Sequence, residues 1–363
     1  MQHLRNPESM VETMRFSSRV DISEPNPIAK AEAEAKANGI TLGKLNDSNP
    51  TKHALASELL PDIYGAEPRG QRYAREALAA FLHEQGNTAT ADDLYILSST
   101  SEAYSWLIKL LCNAGDAVLA PKPGYPLIES IARLECVDMI EYQQRFDGSW
   151  YIDVAELREA LEGEDGGRIR ALVLINPNNP TGRTVQPELM RRIVQKCAEN
   201  SVYLIADECF NDFLLDAEQH SLSGLLEAFP CLILLRAYTK MFAVPGVRFG
   251  WCMTADRTVI DGLYRAGQPW NVSVIAQACA EAAAKQNGWR EQTARRIAEE
   301  RAYLMDGLRS CGVRVYPGEA NFLLFHYSDE KLDEKLRKQG IMIRNCSNYR
   351  GLGPGFYRTA VKT

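Results

Sequence analysis

The chain has 363 residues, 45% hydrophobic and 24% charged, the balance of a globular protein that buries a large core and divides into one large and one smaller domain. Its 41 Lys and Arg against 47 Asp and Glu leave a net charge of −6 with no long run of either sign, which excludes the electrostatic footprint of a nucleic-acid binder and points to a small-molecule substrate. No stretch long enough to cross a bilayer lacks charge, and no apolar run comes after Met1–Pro7 as in a signal peptide, so the expected setting is cytoplasmic with no membrane partner. The nine cysteines form no Cys-x-x-Cys pair and the five histidines are dispersed, so reduced core thiols and no metal are expected.

In chain order, the Ala-, Glu- and Lys-rich run 26–38 predicts a helix stopped by Gly39. Residues 45–70, dense in Pro, Gly and Asn, read as surface loops of the kind that border sites. A helix at 71–84, a strand at 94–97, a helix at 101–111 and a strand at 117–120 then alternate, the rhythm of a parallel sheet. Continuous apolar runs at 171–175, 202–206 and 232–235 read as strands covered on both faces. One long helical pattern spans 275–308, with an alternating segment at 312–325 and a helix at 332–339 after it. The fold class expected is α/β, a mostly parallel central sheet with helices on both faces plus a smaller α+β domain. The boundaries expected are 1–45 for an N-terminal arm with part of the small domain, 46–270 for the large domain and 271–363 for the small one.

The segments just beyond the buried strands carry the chemistry: Asn176-Pro177-Asn178-Asn179-Pro180-Thr181-Gly182, then Asp207-Glu208, then Tyr238-Thr239-Lys240. Open α/β sheets bind ligands beyond the carboxyl ends of their strands, so an amide, a carboxylate and an amine reach one edge. That trio suits an electron-sink cofactor, which needs an amine for covalent attachment, an anion to keep its ring nitrogen protonated and a donor for its ring oxygen.

With these motifs in this order, the chain resembles the class I/II aminotransferases, fold-type I enzymes of pyridoxal 5′-phosphate, over nearly its whole length. The carriers are Asn-Pro-Asn-Asn-Pro-Thr-Gly, Ala-Asp-Glu-Cys-Phe and Thr-Lys-Met-Phe-Ala-Val-Pro-Gly-Val-Arg-Phe-Gly. The resemblance implies that Lys240, after Thr239, is the Schiff-base lysine and moves the proton at the substrate α-carbon. It implies that Asp207 pairs with the ring nitrogen and that Asn179 bonds the ring oxygen and also contacts the substrate. Arg248 stands where the family clamps the cofactor phosphate, a task suited to a planar guanidinium fork. Ser99, Thr100 and Ser101 resemble the phosphate cup at a helix N-terminus, and a serine there also serves as an ordinary helix cap. Tyr125 matches the aromatic that stacks on the ring. Tyr64 resembles a tyrosine reaching into the partner's site, which implies a homodimer. Arg358, in Phe356-Tyr357-Arg358-Thr359-Ala360-Val361, is the choice for the substrate α-carboxylate, and Asn321 sits in a family-like strand.

The family pattern is departed from in the phosphate cup, where the family often has a glycine and this chain has Ser99-Thr100, and at two further positions. Phe210 stands where many relatives have a tyrosine on the ring oxygen, and Ala237 where many have a phosphate-binding serine. The activity implied first is transfer of an amino group between an amino acid and a 2-oxo acid. The rival is a decarboxylase, because the segment 343–352 looks like the tail of threonine-phosphate decarboxylases and histidinol-phosphate aminotransferases, in which Arg344 and Arg350 could face a substrate phosphate. A sensing module of the same fold is the third alternative. The stretch before the first motifs is short and not basic, which argues against it.

Overall fold

A strand buried on both faces has no polar side to show, and this explains why the apolar runs become the centre of the molecule. The computed structural model of the chain describes residues 27–44, 67–286 and 288–362. Helix α1 (Pro27–Ala37) and strand β1 (Gly43–Lys44) come first. After them are α2 (Arg72–His83), β2 (Leu94–Leu97), α3 (Thr100–Leu111), β3 (Ala117–Lys122), α4 (Leu127–Leu134), β4 (Asp138–Phe146) and β5 (Trp150–Ile152). Then come α5 (Val154–Glu162), β6 (Ile169–Ile175), α6 (Pro187–Glu199), β7 (Tyr203–Asp207), β8 (Leu232–Ala237), β9 (Gly250–Met253) and α7 (Arg257–Ala266). The C-terminal elements are α8 (Val274–Ala284), α9 (Trp289–Ser310), β10 (Arg314–Tyr316), β11 (Phe322–His326), α10 (Leu332–Lys338), β12 (Ile341–Met342), β13 (Arg344–Asn345) and β14 (Phe356–Ala360).

Eight strands in the order β2-β9-β8-β7-β6-β3-β4-β5 form the main sheet. β4, β3, β6, β7 and β8 pair in parallel, while β9 lies antiparallel between β8 and β2, and β5 is antiparallel to β4. Side chains of successive strand residues alternate between two apolar layers. Leu172, Leu174, Leu204, Ala206, Leu232 and Leu234 pack under α2, α5, α6 and α8, whereas Val173, Ile175, Ile205, Ile233 and Leu235 pack under α3, α4 and α7. Each leucine fully buried in this way contributes roughly 1.5–3 kcal/mol.

A second sheet, β10-β11-β14-β13, is antiparallel, and Leu304 and Leu308 of α9 with Leu332 and Leu336 of α10 cover one side of it. β1 pairs in parallel with β12, tying the N-terminal segment to the C-terminal elements. The single helix expected over 275–308 is two helices. Helix α8 ends at Ala284, and Gly288 precedes α9 in a left-handed conformation, φ +74°, that glycine adopts at little cost and that separates the two helices. Trp289 then donates from its indole N–H to the Met241 carbonyl at 3.0 Å, which fixes the start of α9 beside the loop after β8.

Candidate active site

The parallel strands deliver the residues at their carboxyl ends to one edge of the main sheet. β3 leads to Tyr125, β6 to Asn179, β7 ends on Asp207, and β8 leads to Thr239 and Lys240, while β2 brings Ser99, Thr100 and Ser101. β9 runs the other way, so Arg248, just before it, reaches the same edge. The close approach depends on Gly250, where a Cβ would lie 3.0 Å from the Ser99 Cα and 3.2 Å from the Arg236 carbonyl. All of these site residues, together with Arg358 of the smaller sheet, line one cavity of about 780 Å³, within the range of ligand pockets.

Asp207 is buried, which pushes its carboxyl above the usual carboxylate range; the N–H and thiol of Cys209, the Tyr104 hydroxyl and the Thr100 hydroxyl donate to it and pull it back. The Cys209 N–H lies 3.0 Å from Oδ1 and the Tyr104 hydroxyl 2.9 Å from Oδ2. Burial pushes both the Tyr104 hydroxyl and the Cys209 thiol well up, so both remain protonated donors. The neighbouring Glu208 turns away from the cavity. It accepts from Arg236 Nε at 3.0 Å and Nη2 at 2.8 Å, from the Ser221 hydroxyl at 2.9 Å and from the Leu222 N–H at 2.7 Å.

Ser99 accepts from the Glu102 N–H at 3.1 Å and so caps α3, while the first turn of that helix opens on the cavity. Arg248 donates to the Pro245 carbonyl at 2.9 Å from a left-handed backbone, φ +63°, an uncommon state for a residue with a Cβ. Tyr125 is half-buried in the cavity wall, and burial pushes its hydroxyl up. Arg358 donates to Asn179 Oδ1 at 2.6 Å and stands 4.9 Å over the Phe322 ring. Phe210 meets the same ring edge-on, centroids 5.2 Å apart, so aromatic packing stands in for the hydroxyl that this position lacks; Ala237 lines the cavity without a hydroxyl.

The two arginines weighed for a substrate phosphate separate. Arg344 on β13 is the direct cross-strand neighbour of Arg358, lines the cavity and donates to Asn348 Oδ1 at 3.1 Å. Arg350 is not a cavity residue: past the β13 turn it pairs on the surface with Glu129 and, at 3.5 Å, with Glu141. Asn321 is buried beside β11, and its carbonyl accepts from the Val361 N–H at 2.9 Å. Tyr64 and the loop 45–51 lie outside the described residues. Sequence reasoning alone misses Tyr104, Cys209, Tyr349 and the α1 residues Ile28 and Glu32, the last four of which line the cavity. Thr100 and Tyr104, four apart on α3, share the helix face that meets Asp207, and that spacing is the available signal.

Residues 64–363 match the family described as aminotransferase class I and II. The chain belongs to that family. Within it, the chain is 34% identical over 195 residues to a threonine-phosphate decarboxylase of Salmonella typhimurium, a match covering 53% of each protein, so the chain spans about half of that relative's length. It is 28% identical over 310 residues to a histidinol-phosphate aminotransferase of Thermococcus gammatolerans, covering 83% of each. In fold it is similar to a mutated aspartate aminotransferase of Thermus thermophilus, with TM-score 0.82, 24% identity and 96% of each chain covered. The cofactor of this aminotransferase-family chain is pyridoxal 5′-phosphate. The cavity fits it chemically: an amine at Lys240, a buried carboxylate at Asp207 held by four donors, an amide at Asn179, and a helix N-terminus with Arg248 for its phosphate. Among the described residues no cluster of His, Cys, Asp and Glu suits a metal ion, and no helix is long and apolar enough to cross a membrane.

Proposed function

We propose that the chain is an aminotransferase that moves an amino group between an amino acid and a 2-oxo acid. The observation that carries this reading is the convergence of Lys240, Asp207, Asn179 and Arg358 on one cavity. When bound there, pyridoxal phosphate supplies a sink for the electron pair of a bond broken at the substrate α-carbon. Lys240 would hold it covalently and, with its amine released, carry the proton at that α-carbon. Asp207 would hold the proton on the ring nitrogen, and Asn179 would donate to the ring oxygen. Arg248, Ser99, Thr100 and Ser101 would bind its phosphate, and Tyr125 would cover the ring face. Arg358, already braced by Asn179 and the Phe322 ring, would take the substrate α-carboxylate in a two-point grip that orients the reacting bond. The division into a large domain, 46–270, and a small one, 271–363 with the arm, would set these groups on two bodies facing the cavity, and a homodimer would add Tyr64 from the partner.

Arg344, opposite Arg358 across β13 and β14, offers a second anion site and so favours a substrate bearing a phosphate, which suits decarboxylation as the second reading and transamination of a phosphorylated amino acid alike. Both reactions need the same shell. Which one occurs depends on the bond held perpendicular to the ring. Incubating the purified enzyme with amino acids and phosphorylated amino acids, with and without 2-oxoglutarate, separates them. Formation of a 2-oxo acid and glutamate supports transamination, whereas carbon dioxide released without oxo acid rejects it. Arg344→Ala is expected to weaken phosphorylated substrates about tenfold or more and leave simple amino acids unchanged.

A further inference from the structure

Behind Asp207 stands a residue that touches neither the cavity nor solvent. Tyr104 is fully buried in the apolar layer formed by α3 with Ile205 and Val173, and it is absent from the cavity wall. A phenylalanine would fill that layer equally well. What the hydroxyl adds is one bond, to Asp207 Oδ2 at 2.9 Å. The groups around that carboxylate come from several elements: Thr100 and Tyr104 from α3, Cys209 after β7, Lys240 after β8, and Tyr125 after β3. Of the hydroxyl donors among them, Thr100 lines the cavity, so Tyr104 is the one committed wholly to the far side of the carboxylate.

We propose that Tyr104 is a positioning residue for the reaction, its buried hydroxyl holding Asp207 ionised and aimed at the cavity so that the proton of the facing pyridine nitrogen stays on the ring. The proposal rests on the assignment of Asp207 to that nitrogen under the proposed function. A buried carboxylate that loses a donor becomes a stronger base, and a proton shared with a neighbouring nitrogen moves toward it. The chain therefore places its tyrosine hydroxyl on the carboxylate side of the ring while Phe210 supplies none on the oxygen side.

The test uses the holoenzyme carrying cofactor labelled with nitrogen-15 in its ring, read by NMR at neutral pH, with kcat and KM alongside. In the wild type the nitrogen resonance is expected at its protonated position. In Tyr104→Phe it moves toward the unprotonated position, and kcat falls roughly ten- to hundredfold while KM for the amino donor changes little. An unchanged resonance in Tyr104→Phe overturns the proposal. A fluorinated tyrosine placed at 104, a stronger donor of nearly the same shape, is expected to keep the resonance at or beyond the protonated position. Movement toward the unprotonated side in that protein also overturns it, whether or not Tyr104→Phe holds cofactor. Asp207→Ala separates the two layers of the argument. If it displaces the resonance and Tyr104→Phe does not, Tyr104 alone is wrong; if Asp207→Ala leaves the resonance in place, the reading of Asp207 falls as well.

Discussion

Glu208→Ala is the perturbation whose cost comes most directly from the structure. The side chain of Glu208 is 0% exposed and that of Arg236 4%, and four donors converge on the Glu208 carboxylate. Removing it leaves a buried guanidinium whose next acidic neighbour, Asp212, is 4.0 Å away. Breaking a buried pair by deleting one partner costs about 3–5 kcal/mol, and the residual attraction of Asp212 sets the expectation near the lower end, about 3 kcal/mol. For 363 residues with an unfolding entropy of about 2.1 cal/mol/K each, that corresponds to a fall in Tm of about 4 °C. Equilibrium urea unfolding and calorimetry measure both. The double variant Glu208→Leu with Arg236→Met removes the stranded charge, so it should recover most of the loss. A single variant within about 0.5 kcal/mol of wild type, or a double variant as unstable as the single one, would show that Arg236 does not depend on Glu208 for its burial.

Three further outcomes are expected. If Arg358 holds the substrate carboxylate as proposed, Arg358→Lys exchanges a two-point grip for a point charge, so KM for the amino acid should rise roughly 10- to 100-fold in steady-state assays; an unaltered KM would remove Arg358 from that role. Burial raises the Asp212 carboxyl above its ordinary value, so the folded chain binds more protons than the unfolded chain between the two values and loses stability as pH rises through the folded one. Urea midpoints measured against pH should show that fall in the wild type and less of it in Asp212→Asn, and equal slopes would contradict the assignment. Cys136 and Cys311 are exposed, whereas Cys197 and Cys252 are buried and burial pushes the Cys252 thiol up to about 12. Alkylation of the folded protein at neutral pH should therefore modify the first two, and peptide mass mapping that finds Cys252 alkylated early would count against the packing of β9.

The strands and the residues at their ends are legible in the sequence because a strand covered on both faces must be apolar throughout, so polar residues mark where it stops. Asn179, Asp207 and Lys240 stand at or just beyond such stops. The break in the C-terminal helical run is missed when the run is read by its Ala, Glu and Arg content, although Asn287-Gly288 is a turn signal, and the left-handed φ of Gly288 shows where the chain turns. Arg344 and Arg350 lie six residues apart and look alike in sequence. The register of β13 against β14 sets one beside Arg358, and the next turn carries the other to Glu129 and Glu141. Tyr104 reads in sequence only as part of a helix, because its partner lies 103 residues away and the packing of α3 over the end of β7 is a tertiary fact.

The proposed function depends on Lys240 carrying the cofactor in the cavity where Asp207 is buried. Reducing the holoenzyme with borohydride, digesting it and weighing the peptides tests this directly. A pyridoxyl-phosphate mass is expected on the peptide containing Lys240 and is expected to be absent from Lys240→Ala. The mass on a different lysine, or its persistence in that variant, would contradict it.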